Sequence, residues 1–182
     1  GYSDVIVMRH PQIGSVAEFA KASRVPVING GDGANEHPSQ ALLDLYTIKK
    51  ELQSSDKLID GMHIAMVGDL RHGRTVHSLS QLLVLYKNIT FTLISTKELR
   101  MPEAIVSLLK SAGHKVIETE DMESGLKDND TVYLTRIQEE RFTTKLEADV
   151  YRGRFRLNRE IYTVNCQPNT VIMNPFPRDP RE

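Results

Sequence analysis

An α/β fold, built from βαβ units around mostly parallel sheets, is what three observations on the sequence predict. Short runs rich in Val and Ile recur along the chain, and they alternate with longer segments whose apolar residues follow a helical period. The composition, 40% hydrophobic and 26% charged over 182 residues, can bury a substantial core. Candidate strands occupy 4–8, 25–29, 62–68, 90–95, 115–118, 131–135 and 170–174. The clearest helix runs over 38–52, where Ala41, Leu42, Leu45, Ile48 and Leu52 recur at helical spacing. Pro38 suits its first position, where no N–H is needed. A second helix, 73–86, carries Val76, Leu79, Leu82, Leu83 and Tyr86 on one face, and a third, 102–110, carries Ile105, Leu108 and Leu109. Both read as helices laid over a sheet. The polar stretch 53–57 (Gln-Ser-Ser-Asp-Lys) interrupts the rhythm, which then restarts. The expected division is therefore a first unit over 1–52, ending in the helix 38–52, and a second over 53–182. A single continuous sheet with a surface loop at 53–57 is the plainer alternative.

Charge and cysteine content narrow the partners. Lys and Arg number 23 against 24 Asp and Glu, a net charge of −1, so no nucleic acid or anionic membrane is expected to be recruited by bulk charge. The single cysteine, Cys166, permits no internal disulfide and no multi-cysteine zinc site, and fits a cytoplasmic location. No run approaches the ~18 apolar residues of a membrane span.

Ligands of open α/β sheets bind beyond the carboxyl ends of strands, so the polar residues there are the ones to inspect. Arg9, closing the first strand, can donate several hydrogen bonds to a phosphate or carbonyl oxygen, although an arginine at a strand end is often merely solvated. Next, Gly30-Gly31-Asp32-Gly33 lets the backbone turn tightly before His37-Pro38-Ser39-Gln40 opens a helix. His37 and Gln40 then project from one positive helix end, where His37 could also be only a cap. The segment Gly68-Asp69-Leu70-Arg71-His72-Gly73-Arg74-Thr75 approaches a nucleotide-binding loop, but with Arg74 at the lysine position. An arginine offers a planar fork matched to a carboxylate, which disfavours a nucleotide triphosphatase. No G-x-G-x-x-G opens any strand–helix junction, so a dinucleotide site is not expected either. In 133–141, Arg136 and Gln138 lie two apart and share one side of an extended chain, so Arg74 and Arg136 could grip the two carboxylates of a small diacid. A solvent-facing charged loop is the plainer reading. Finally, Pro175 and Pro177 stiffen a loop whose carbonyls could accept hydrogen bonds from an amine, or which could serve as a rigid turn.

Taken in order, the segments 7–12, 29–48, 66–79, 133–142 and 173–178 resemble the aspartate carbamoyltransferase family, and the similarity extends over essentially the whole chain. Its most specific motifs here are H-P-x-Q at 37–40, G-D-L-x-x-G-R-T-V-H-S at 68–78 and T-R-x-Q-x-E-R at 135–141. The resemblance implies two doubly wound units with mostly parallel sheets, incomplete in this chain. It implies transfer of the carbamoyl group of carbamoyl phosphate to the amine of L-aspartate in pyrimidine biosynthesis, with no cofactor and no metal. Arg9 and His37 would contact the carbonyl oxygen of carbamoyl phosphate, Arg9 also the phosphate, and Gln40 the carbamoyl amide. Arg74 would bind the aspartate α-carboxylate and Arg136 and Gln138 its side-chain end, while the Pro175 and Phe176 carbonyls would orient the amine. It further implies a homotrimer with shared active sites, in some members within a larger pyrimidine-synthesis polypeptide.

Some positions depart from the family pattern. Asn174 and Phe176 stand where the family usually has His and Leu, and Glu139 stands where Lys is common, with an expected change of charge beside the aspartate site. The family's S-x-R-T phosphate loop, a Ser/Lys loop that enters the neighbouring subunit's site, and the closing helices are absent from these 182 residues, so the chain alone is expected to turn over little. The alternatives are an ornithine carbamoyltransferase-like enzyme, whose S-M-G and H-C-L-P segments are missing, and a non-catalytic domain that kept the fold.

Overall fold

A computed structural model describes residues 2–176, so Pro177 and Arg178 of the last motif lie outside the described residues. The chain opens with β1 (Ile6–His10), α1 (Ser15–Ala22) and β2 (Val27–Asp32), and β1 and β2 form a two-stranded parallel sheet. The strands reach two to three residues further than the apolar runs suggest. Ile6 pairs with Val27 and the ladder continues, through an irregularity after Met8, to His10 beside Asp32. Arg9 therefore sits inside the strand rather than just beyond it.

Helix α2 (Pro38–Ser54) follows, then β3 (His63–Val67), α3 (Arg74–Leu83), β4 (Thr90–Ile94), α4 (Glu103–Ser111) and β5 (Lys115–Thr119). Beyond them come α5 (Met122–Gly125), β6 (Thr131–Leu134), α6 (Lys145–Asp149), α7 (Arg159–Asn165) and β7 (Val171–Met173). Strands β3 to β7 form one all-parallel sheet in the order β5-β4-β3-β6-β7. That is the doubly wound order, whose connections leave β3 toward one edge and return through β6 toward the other. The point of reversal, between β3 and β6, is where a crevice opens.

Parallel strands are covered on both faces, and the alternation along β3 sorts the two cores. Ile64 and Met66 face α2, α3 and α4, joining Ile48, Leu52, Val76, Leu79, Leu83, Val106 and Leu109. Ala65 and Val67 face the other side with Ile94, Leu126, Val132, Ile137, Ala148 and Phe155. Burying each large aliphatic side chain contributes roughly 1.5–3 kcal/mol. Helix α3 is shorter than the expected 73–86: after Leu83 the amides of Leu85 and Tyr86 bond back three residues, to Leu82 and Leu83, and the helix tightens and ends. Helix α2 packs on β2 and on α3, so one rigid rod links the two sheets.

Candidate functional site

Between the two sheets lies a polar cavity of about 370 Å³. It is built at the strand ends: Arg9 from β1, Gly33 after β2, His37 and Gln40 at the start of α2, His72 to Thr75 after β3, Thr135, Arg136 and Gln138 after β6, and Pro175 and Phe176 after β7. All eight residues expected to contact substrates line it: Arg9, His37, Gln40, Arg74, Arg136, Gln138, Pro175 and Phe176. Four arginines (Arg9, Arg74, Arg136, Arg141) face a single lining glutamate, Glu140, so the cavity is cationic although the chain is nearly neutral.

The loop leading to His37 is shaped by Asp32, 2% exposed. Burial alone would raise its pKa, but donation from the Asn35 and Asn29 side chains and from the Gly14 and Glu36 amides holds the carboxyl below its ordinary value. The His37 amide donates to Ser78 Oγ at 2.9 Å, and Ser78 in turn donates to Glu36, which also accepts from Gln81 at 2.8 Å. Helix α3 thus grips the His37 backbone from the second sheet. The imidazole pKa is lowered by burial and by Arg74 and Arg9, which favours the neutral ring. Ser39 Oγ lies 3.3 Å from Nδ1. In the tautomer where Nδ1 accepts from Ser39, Nε2 carries the proton and can donate.

Arg74, the first residue of α3, donates from Nη1 to the Gly33 carbonyl at 2.7 Å. Its guanidinium lies so close to Gly31 (φ +118°) that a Cβ there would stand 3.1 Å from Nη1. Burial, with Arg9 and Arg141, lowers its pKa, as expected of a cation waiting for an anion. Arg136 forms a two-pronged pair with Glu140 at 3.0 and 2.6 Å and donates to the Ile137 carbonyl at 3.0 Å. This pair, foremost through its hydrogen bonds, holds the Glu140 carboxyl below its ordinary value. An external carboxylate at Arg136 would have to exchange with Glu140.

Beneath these side chains, Asp69, fully buried, accepts from the His72 amide at 3.0 Å and from the Gln138 amide at 3.1 Å. It ties together the loops that leave the two central strands. Gly68 (φ +114°) makes their close approach possible, since a Cβ there would overlap the Thr135 carbonyl oxygen. Asp44, Asp69, Ser78, Glu36, Tyr133 and Glu140 were not expected at the site. Asp69, Ser78 and Glu140 are letters of the motifs at 68–78 and 135–141, and Asp44 stands four residues after Gln40 on the same helix face.

Glu139 does not line the cavity: it is paired with Arg152, whose Nε donates to its Oε1 at 2.9 Å, so its charge lies beside the cavity wall and faces Arg152. The carboxylate in the cavity is its neighbour Glu140. Phe176 is 80% exposed, a ring at the rim rather than a plug. Among the described residues no group of three or more His, Cys, Asp or Glu side chains is placed to hold a metal ion, and no helix is long and apolar enough to cross a membrane.

Residues 1–50 match the carbamoyl-phosphate binding domain of aspartate/ornithine carbamoyltransferases, and residues 60–182 match the Asp/Orn binding domain. The aspartate carbamoyltransferase catalytic subunit of Saccharophagus degradans is 66% identical over 181 residues, covering 100% of this chain and 54% of that protein. The multifunctional protein CAD of Squalus acanthias is 48% identical over 97% of the chain, which corresponds to 8% of that polypeptide. Among solved structures, aspartate transcarbamoylase from Trypanosoma cruzi in complex with N-(phosphonacetyl)-L-aspartic acid superimposes with a TM-score of 0.86 at 35% identity, covering 99% of this chain and 57% of that one. The catalytic subunit of the Methanocaldococcus jannaschii enzyme gives 0.83 at 44% identity, covering 98% and 56%. The chain spans about half the length of the curated catalytic subunits it matches. With the motifs, the doubly wound order and the family matches in agreement, this chain belongs to the aspartate/ornithine carbamoyltransferase family.

Proposed function

We propose that the full-length protein carrying this chain is an aspartate carbamoyltransferase, which moves the carbamoyl group of carbamoyl phosphate onto the amine of L-aspartate and releases phosphate. The observation that carries this reading is the convergence of Arg9, His37, Gln40, Arg74, Arg136 and Gln138 on one cationic cavity at the sheet's reversal point. In that reading the amine attacks the carbamoyl carbon and the carbonyl oxygen becomes negative. His37 Nε2–H and Arg9 donate to it, an arrangement whose removal in other enzymes costs roughly 10²–10³ in turnover. The C–O bond to phosphate then breaks, and phosphate leaves with the electron pair while the nitrogen sheds a proton. Gln40 holds the carbamoyl amide, Arg74 the α-carboxylate, Arg136 and Gln138 the side-chain carboxylate, and the Pro175 and Phe176 carbonyls aim the amine. Holding two anionic reactants at contact distance is itself a large share of the rate enhancement.

A diacid fits this cavity better than ornithine does. Four arginines and one glutamate would repel an ornithine ammonium, and they suit two carboxylates. The same reading divides the chain into a carbamoyl-phosphate part over 1–52 and an aspartate part over 53–182, and places the full-length protein in the cytoplasm as a homotrimer with shared sites. Similarity to a multifunctional polypeptide supports a fused setting in some relatives. The test is a product assay on the full-length protein with aspartate and with ornithine. Carbamoyl-aspartate formation with no citrulline is expected, and the reverse would overturn the assignment. The 182-residue chain alone, which contains no S-x-R-T phosphate loop, should give little or no product.

A further inference from the structure

The carboxylate of Asp44 lies outside the cavity lining, yet it is only 4% exposed and both of its oxygens accept hydrogen bonds. Gln40 Nε2 donates to Oδ1 at 3.0 Å, one helical turn away, and Tyr133 Oη donates to Oδ2 at 2.6 Å from β6 on the second sheet. Burying a carboxylate costs stability unless it is hydrogen-bonded, and here the two donors come from the site residue Gln40 and from the second sheet. An Asn or Gln side-chain amide is a two-faced group whose NH2 and carbonyl can exchange places, so its chemistry toward a ligand depends on what fixes it.

We infer that Asp44 is a positioning residue: by accepting from Gln40 Nε2 it turns the amide so that Gln40 Oε1, and not the NH2, is presented to the cavity. The inference rests on the carbamoyl-phosphate reading and makes it more specific. A carbamoyl NH2 is a donor and needs an acceptor, whereas a flipped Gln40 would offer a second donor and repel it. Tyr133 takes the remaining oxygen of Asp44, so the carboxylate cannot swing away from Gln40. Burial and the neighbouring carboxylate push the Tyr133 hydroxyl pKa upward, so it stays protonated and keeps donating. Burial likewise pushes Asp44 upward, opposed by these two hydrogen bonds. Because Tyr133 opposes Met173 on β7 and is two residues before Thr135, the acceptor for one substrate is braced by the strand that leads to the residues for the other.

The test is a double-mutant cycle in the full-length protein, with steady-state constants for each substrate and the wild type as the control for the reaction itself. Asn at position 44 can donate to Gln40 Oε1 and so permits the flip. Asp44→Asn is expected to raise KM for carbamoyl phosphate about tenfold, with KM for aspartate within about twofold. Gln40→Ala should behave similarly, and Asp44→Asn added to Gln40→Ala should cost nothing more. Additive losses, or equal losses for the two substrates, would overturn the inference and leave Asp44 a structural residue. If Asp44→Asn fails to fold, the Gln40 side-chain amide is read in wild type by NMR. Slow exchange of its NH2 protons, abolished in Gln40→Ala, supports the inference, and freely exchanging protons overturn it. A wild type that makes no carbamoyl-aspartate would instead refute the reaction assignment.

Discussion

At Arg74 the chemistry depends on the shape of the cation and not only on its charge. The guanidinium spends one N–H on the Gly33 carbonyl and keeps further donors for a carboxylate, which a lysine ammonium could not match in a plane. Arg74→Lys in the full-length protein should therefore raise KM for aspartate by roughly tenfold or more while KM for carbamoyl phosphate moves little. An equal rise for both substrates would contradict the assignment. Ser78 gives a second prediction. Its hydroxyl accepts from the His37 amide and donates to Glu36, so Ser78→Ala leaves a donor unpaired beside the reacting groups, at a cost of about 1–3 kcal/mol, and should lower kcat. Unchanged turnover with normal stability would show that the bridge does not position His37. Most of the cavity-lining residues could be read from the sequence because they follow strands, where an α/β sheet binds ligands. The layer beneath could not. Asp44, Ser78 and Tyr133 occupy mid-helix or mid-strand positions where a polar residue looks ordinary until the chain brings α2, α3 and β6 together.

The same division holds for whole elements. All seven strands overlap the expected apolar runs, most closely β3, β4 and β6, which are buried along most of their length and so leave an uninterrupted signal. The three longest helices beyond β2 were equally plain from their apolar stripes. The remaining helices run four to eight residues, too short to express a period, and α6 lies in a charged stretch bridged by the pair of Arg152 with Glu139. Loop geometry is decisive between β3 and β6. Gly68→Ala would force both a positive φ on alanine and an overlap with the Thr135 carbonyl, at a cost of about 3 kcal/mol or more. Thermal denaturation should show a Tm drop of several degrees, with loss of aspartate binding because Arg136 and Gln138 follow Thr135 directly. A Gly68→Ala protein with unaltered Tm would refute the close approach.

For the molecule as a whole, proton linkage and charge placement follow from burial. His77 is packed inside, with Nε2 donating to the Leu70 carbonyl at 2.7 Å. Burial lowers its pKa below the ordinary 6.5, only partly opposed by Leu70, Glu36 and Asp69. The folded state then binds fewer protons than the unfolded chain, so this stability is complete above pH 6.5 and is lost as pH falls through the folded pKa. His37 and His114, also lowered by burial, act in the same direction. Urea midpoints of the full-length protein should fall from pH 7.5 to just below 6.5, and less steeply in His77→Gln, whose amide can still donate to Leu70. Parallel curves for the two proteins would contradict this.

Near-neutral overall charge conceals a cavity where four arginines meet, and that concentration is the core of the functional account. Calorimetric titration of the full-length protein with N-(phosphonacetyl)-L-aspartate, which joins a phosphonate to an aspartyl diacid, examines it most directly. The account predicts one site per subunit, with binding weakened at least tenfold by Arg9→Ala and by Arg136→Ala separately, because the two arginines serve opposite ends of the ligand. Absence of binding, or binding indifferent to either substitution, would contradict it.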